Sequence, residues 1–162
     1  MLHGQNIHKL LTQTLRSVQT LTSDREEVLY SSILLSGLNG SIISYANRED
    51  TPASYNKSTN NLKMMSLLIR DKWNEDQMDP SAQSTSSCYT CELRTDPEDG
   101  NSEATHIYTY EIEDLHACVA QIPRSDLLLL FIGSGQYPYG LEVLKMKAAL
   151  EGLASMQGYK LN

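Results

Sequence analysis

The sequence predicts an α/β fold of the α+β type: one five-stranded antiparallel sheet flanked by about three helices, in the order helix-strand-strand-helix-strand-strand-strand-helix. Three observations carry this reading. Apolar residues recur at helical spacing in three separate stretches. The β-rich runs between them are joined by short turns, which only antiparallel neighbours can use. Leu127 to Ile132 is a continuous apolar run, the pattern of a central strand covered on both faces. Such a sheet must bury its faces under helices.

The first helix is expected over residues 5–20, where Ile7, Leu10, Leu11, Leu15 and Val18 fall on one face. A hairpin follows at 28–46. Its turn is read at Asn39-Gly40, as a type I′ turn with both residues at positive φ. Residues 47–60 are polar and contain Pro52. They form a loop ending in Ser58, Thr59 and Asn60, each a plausible helix cap. The middle helix is expected over Asn61–Asn74. Residues 75–104 hold Pro80, Pro97, Gly100 and a serine-rich run, so they are read as an inserted, acidic and largely mobile loop, with a weak strand at Cys88–Leu93. Strands are expected at His106–Ile112, Leu115–Ile122 and Leu127–Ile132, and a last helix at Tyr139–Gln157.

With 162 residues and 40% apolar composition, the chain suits one domain, 1–162, with its own core. Its 20 acidic and 13 basic residues leave −7. The acids between Glu75 and Glu103, opposed only by Arg94, account for that whole imbalance. No basic stripe exists, so nucleic-acid binding is not expected. The apolar run at Leu127 is far shorter than the ~20 residues of a membrane span. No leader or lipidation pattern is legible, so membrane contact is expected to be indirect and the protein cytosolic.

Four candidate chemistries present themselves. Cys88-x-x-Cys91 has redox or zinc spacing. A zinc site would need Cys118 with His106 or His116, and the pair sits in a strand rather than at a helix start. Gly133-Ser134-Gly135 follows a strand, but Pro138 stands where a dinucleotide fingerprint needs its third glycine. Asp114, His116 and Ser125 supply triad residue types with nothing to orient them. Trp73 falls in a packing stripe. No catalytic residue, cofactor or metal is therefore expected.

Two helices carry more apolar surface than a sheet can cover. In the middle helix Leu62, Met65, Ile69 and Trp73 form one stripe, and Met64, Leu67 and Leu68 a second, roughly opposite. In the last helix Val143, Met146, Leu150 and Leu153 share one side, and Leu141, Leu144 and Ala148 lie on the other. Spacing alone does not say which stripe faces inward. The spare one is expected to meet a partner.

Ser32-Ile33-Leu34-Leu35-Ser36-Gly37-Leu38-Asn39-Gly40-Ser41 with Ile42–Ala46 resembles the first hairpin of the roadblock (dynein light chain) family, and Pro138-Tyr139-Gly140-Leu141 leads into what resembles its last helix. The stretches Asn60–Ile69, Ile107–Glu111, Asp114–Pro123 and Asp126–Ile132, with the ending Gly158-Tyr159-Lys160-Leu161, resemble the roadblock-type third subunits of the yeast EGO complex, the fungal counterpart of Ragulator. The resemblance implies a roadblock-like sheet and a non-catalytic scaffold. It implies pairing, with a second copy or a second roadblock-type subunit, through the middle helix and an edge strand. It further implies a lipidated membrane-anchor subunit, a Rag-type GTPase heterodimer, a place on the cytosolic face of the vacuolar membrane and endosomes, and amino-acid signalling to the target-of-rapamycin kinase. The partner interface so assigned is Met64, Leu67, Leu68, Asp71, Tyr89, Leu141, Leu144 and Ala148. Two alternatives stand beside it. One is a roadblock module that regulates a GTPase directly, for which Arg70, Arg94 and Arg124 are the available arginines. The other is a cysteine-based zinc or redox protein.

Overall fold

The computed structural model describes residues 4–16, 29–94, 98, 100 and 102–161. Among these, the helices are α1 (Gly4–Thr14), α2 (Thr59–Met78) and α3 (Tyr139–Gly152). The strands are β1 (Leu29–Ser36), β2 (Ile42–Asn47), β3 (Cys88–Arg94), β4 (Ser102–Ile112), β5 (Leu115–Gln121) and β6 (Leu127–Ser134). They form one sheet in the order β2-β1-β6-β5-β4-β3, antiparallel at every pairing. Single 3₁₀ turns lie at Ala82–Ser84 and Ala154–Met156.

The sheet has six strands where the sequence predicts five. The addition is β3, which pairs with β4 from Cys88↔Tyr108 to Arg94↔Ser102. Its alternation is weak because it lies at the sheet edge, and pairing with a neighbour distant in sequence is what makes it a strand. Much of the expected 75–104 loop is thereby regular structure. Residues 75–78 are the last turn of α2, 88–94 are β3, and β4 begins at 102. Residues 95–97, 99 and 101 lie outside the described set, as does the end of the first predicted helix beyond residue 16.

Packing explains the apolar run of β6. Leu127, Leu129 and Phe131 face the layer of α1 and α3, together with Cys118, Ala120 and Ile107. Leu128, Leu130 and Ile132 face α2, together with Val119, Ala117 and Tyr108. A strand sandwiched between helical layers needs apolar residues at both parities. Each such leucine contributes about 1.5–3 kcal/mol of burial.

α2 starts where Ser58 Oγ accepts a hydrogen bond from the Asn61 amide (3.3 Å), two residues before the predicted start. It runs on to Met78 because its stop is Asp79, held extended (φ −105, ψ 107) in front of Pro80. The last predicted helix is shorter than read. It ends at Gly152 and hands over to the Ala154–Met156 turn.

The first hairpin turn also differs from the expected type I′. Only Gly40 is left-handed (φ 75); Asn39 is not among the positive-φ residues. The loop is wider, closed by Ser36 N–H to Ser41 O and Gly40 N–H to Ser36 O, both 2.8 Å. Asn39 Oδ1 accepts from the Ser41 amide (3.0 Å) and hydroxyl (2.7 Å), a side-chain turn that leaves its own backbone unstrained.

Candidate partner-binding surface

α2 lies on the sheet with Leu62, Met65, Ile69 and Trp73 buried inward. That orientation turns the other stripe outward: Met64, Leu67 and Leu68 are 54%, 47% and 56% exposed. Asp71 sits beside them, exposed, its carboxylate 3.2 Å from the Arg70 guanidinium. The β1–β2 turn extends this face. Arg70 donates to Gly37 O (3.0 Å) and Leu38 O (2.7 Å), clamping the turn on α2. Leu38 is left 54% exposed at its tip. Leu67 packs so closely that a Cβ on Gly40 would come within 3.0 Å of its Cδ2. The sequence shows Leu38 only as a turn residue; its place beside α2 depends on the Arg70 clamp, for which local pattern holds no signal.

α3 behaves in the same way on the opposite face. Val143, Met146 and Leu150 are buried, as is Leu153 just beyond, while Leu144 is 62% exposed. Ala148 is exposed and Leu141 half-buried. Ala148 borders a groove of about 440 Å³ between α1 and α3, where Lys145 Nζ donates to the Thr14 and Arg16 carbonyls. Burial lowers the Lys145 pKa to about 8.

The eight predicted interface residues therefore do not form one surface. Met64, Leu67, Leu68 and Asp71 lie on the α2 side of the sheet. Leu141, Leu144 and Ala148 belong to α3, on the other. Tyr89 is half-buried on β3 and packs with the α3-side core, whereas its neighbour Cys88 packs with the α2-side core. Alternation along the strand makes that division unavoidable.

The same alternation bears on the cysteines. Cys88 and Cys91 project from opposite faces of β3, so the pair does not converge on one metal or close on itself. Cys118 is fully buried in β5. Burial pushes all three thiols above their ordinary pKa. No group of three or more metal-binding side chains occurs among the described residues.

The triad residue types have other occupations. His116 Nδ1 lies 2.6 Å from Tyr137 O, and its ring stacks on Tyr139 at 4.0 Å. Ser125 Oγ donates to Ile122 O (2.7 Å) and accepts from the Leu127 amide (3.0 Å), closing a turn in which Arg124 takes φ 59. The glycines at the end of β6, Gly133 within the strand and Gly135 just past it, serve close packing. A Cβ on Gly135 would sit 2.2 Å from the Asp114 carbonyl oxygen. Of the arginines, Arg70 is engaged by the turn and Arg124 pairs with Glu103 (2.8 Å).

The chain matches the family model described as Protein SLM4 over residues 1–161. It is 49% identical over 166 aligned positions to Protein SLM4 of Saccharomyces cerevisiae (strain ATCC 204508 / S288c), covering 99% of this chain and 98% of that one. Among solved structures it resembles an MglB with tetrameric arrangement (TM-score 0.61, 14% identity, 94% of this chain and 88% of that one). The gliding protein MglB of Thermus thermophilus gives TM-score 0.61 at 14% identity over 94% of this chain and 89% of that one. A roadblock/LC7 domain from Streptomyces avermitilis gives 0.56 at 13% identity over 91% and 94%. The fold is therefore that of a roadblock/LC7 domain.

Proposed function

The chain belongs to the SLM4 protein family, and from that premise we propose that it is a non-catalytic scaffold subunit working through its exposed helix faces. The observation that carries this is the outward stripe Met64, Leu67 and Leu68, on a helix whose other stripe is already buried. Three large apolar side chains in line on a helix face lose favourable burial energy when left in water, and recover it against a partner. The partner is a second roadblock-type subunit or a second copy of the chain. A solved neighbour is described as an MglB with tetrameric arrangement, so assembly occurs on this fold.

The finer reading follows the sequence resemblance. The chain would belong to a Ragulator-like EGO complex, with a lipidated subunit as anchor and a Rag-type GTPase heterodimer as cargo. Its place would be the cytosolic face of the vacuolar membrane and endosomes, and its output amino-acid signalling to the target-of-rapamycin kinase. No helix among the described residues is long and apolar enough to cross a membrane, which fits a peripheral subunit held by an anchor.

Affinity purification of the tagged chain from its native cells, with mass spectrometry of what comes with it, tests the proposal. Recovery of a second roadblock-type subunit, a lipidated anchor and two small GTPases is expected. Recovery of a roadblock partner without GTPases would retain the scaffold and remove the tethering role. Recovery of the chain alone would overturn both.

A further inference from the structure

The groove of about 440 Å³ between α1 and α3 lies on the side of the sheet away from Met64, Leu67 and Leu68, and shares only Ala148 with the candidate interface residues. Its apolar lining includes Leu11, Leu129 and Leu153, which belong to the core. α3 lines it with small residues, and at Gly152 an added Cβ would meet nothing within 4 Å.

The charge in this groove is all of one sign. Lys145 and Arg16 line it, and no aspartate or glutamate does. Neither cation has an ion-pair partner among the described residues. Lys145 Nζ donates to the carbonyls of Thr14 (2.9 Å) and Arg16, just where α1 stops. An ammonium carries three N–H donors, so one is left without a protein partner among the described residues. Desolvation, with Arg48 nearby, brings the Lys145 pKa down to about 8. The groove therefore holds a half-buried cation that lacks a counter-charge. Gly152 and Leu153 lie two turns further along, about 10 Å from Lys145 by the rise of the helix. Cation and apolar lining are thus set out along one line.

We propose that this groove binds a straight-chain fatty acid of about ten carbons, with its carboxylate on Lys145 and Arg16 and its tail running past Leu129 towards Gly152 and Leu153. Charge complementarity selects this occupant. A cationic amphiphile would bring like charges together, and an uncharged one would leave the ammonium desolvated without a partner. The volume lies in the range of small-ligand sites. The inference goes beyond the scaffold reading and does not rest on it.

The test is isothermal titration calorimetry of the full chain with decanoate below its micelle concentration. The wild type is expected to bind one equivalent. Octanoate, two methylenes shorter, should bind about tenfold more weakly. Decanol should bind about tenfold more weakly for want of charge, and decylamine should not bind. Gly152→Leu, which fills the groove from its open wall, should weaken decanoate about tenfold or more. Leu68→Asp, on the other side of the sheet, should stay within about twofold. Lys145→Met should abolish the preference for decanoate over decanol. Thermal denaturation checks that each variant is folded; should Lys145→Met release α1, the ligand series on the wild type and Gly152→Leu still decide. No binding of decanoate would overturn the proposal, as would equal binding of decanoate and octanoate, equal binding of decylamine, or unchanged affinity in Gly152→Leu. A change of mass on a sizing column in Gly152→Leu, without decanoate binding to the wild type, would give the groove to a second copy of the chain and overturn it too.

Discussion

Glu142 on α3 and Gly133 on β6 share one buried position: a Cβ added to Gly133 would lie 3.0 Å from Glu142 Oε1. The carboxyl is 0% exposed, and neither of its oxygens has a hydrogen-bond partner among the described residues. Burial raises its pKa from 4.5 to about 9. The core of this protein therefore holds a neutral carboxylic acid at neutral pH.

That acid makes stability depend on pH. Its folded pKa lies above its unfolded one, so its contribution is fully present below about pH 4.5 and is lost as pH rises towards 9. At pH 7, holding the proton costs about 3 kcal/mol. Glu142→Gln removes the ionisation. Denaturant unfolding across pH 5–9 should show a variant more stable than the wild type by a margin that widens with pH. A constant margin would show that Glu142 does not titrate in this interval.

The two glycines after the core of β6 should differ in tolerance. Alanine at Gly133 meets the far end of a glutamate side chain, and Leu29 Cδ2 at 3.2 Å, so side chains can give way. The expected loss is about 1 kcal/mol. Alanine at Gly135 meets the Asp114 backbone oxygen at 2.2 Å, and the β4–β5 turn must move. The expected loss is about 3 kcal/mol. Urea unfolding of both variants measures the order; equal losses would show that the turn is free to shift.

Opposite stripes of α2 should separate folding from association. Leu62 is 0% exposed, and Leu62→Ala should cost about 3 kcal/mol of stability. Leu68 is 56% exposed, and Leu68→Asp should stay within about 0.5 kcal/mol of the wild type as a monomer while weakening association. Thermal denaturation and light scattering on a sizing column read the two effects. Unchanged association would move the interface off this stripe.

Thiol titration should show inert cysteines. Cys91 is 5% exposed and Cys118 0%, with burial raising both pKa values, so neither should react until the chain is denatured. Cys88, half-buried at the sheet edge, should react alone and slowly. Rapid reaction of two thiols in the native protein, or zinc that co-purifies with it, would bring the cysteine chemistry back.

Most elements are legible in the chain because their causes are local. The unbroken apolar run of β6 and the period of α2 each survive as patterns in one dimension. Element ends are harder. α2 runs four residues past Asn74 through Glu75, Asp76, Gln77 and Met78, whose polarity reads as loop. Asp76 is tied to the fold by the Tyr110 hydroxyl (2.8 Å), a contact across 34 positions that no local pattern encodes. β3 is similar: its weak alternation becomes a strand only where β4 supplies hydrogen bonds.

The surface is legible only as a surplus. Periodicity alone establishes that α2 and α3 each carry two apolar stripes, because spacing along a helix is a property of the sequence. It does not establish which stripe of α2 faces the sheet, since opposite faces of a helix are equivalent until something packs on one. Tertiary packing chose Leu62, Met65, Ile69 and Trp73 for the core and left Met64, Leu67 and Leu68 outside. It also put α2 and α3 on opposite sides of the sheet, dividing in two a set of residues that looked like one interface. Tyr30, Ile112 and Asp114 came together in a groove for the same reason. Side chains distant in sequence become neighbours only when the strands that carry them have taken their places in the sheet.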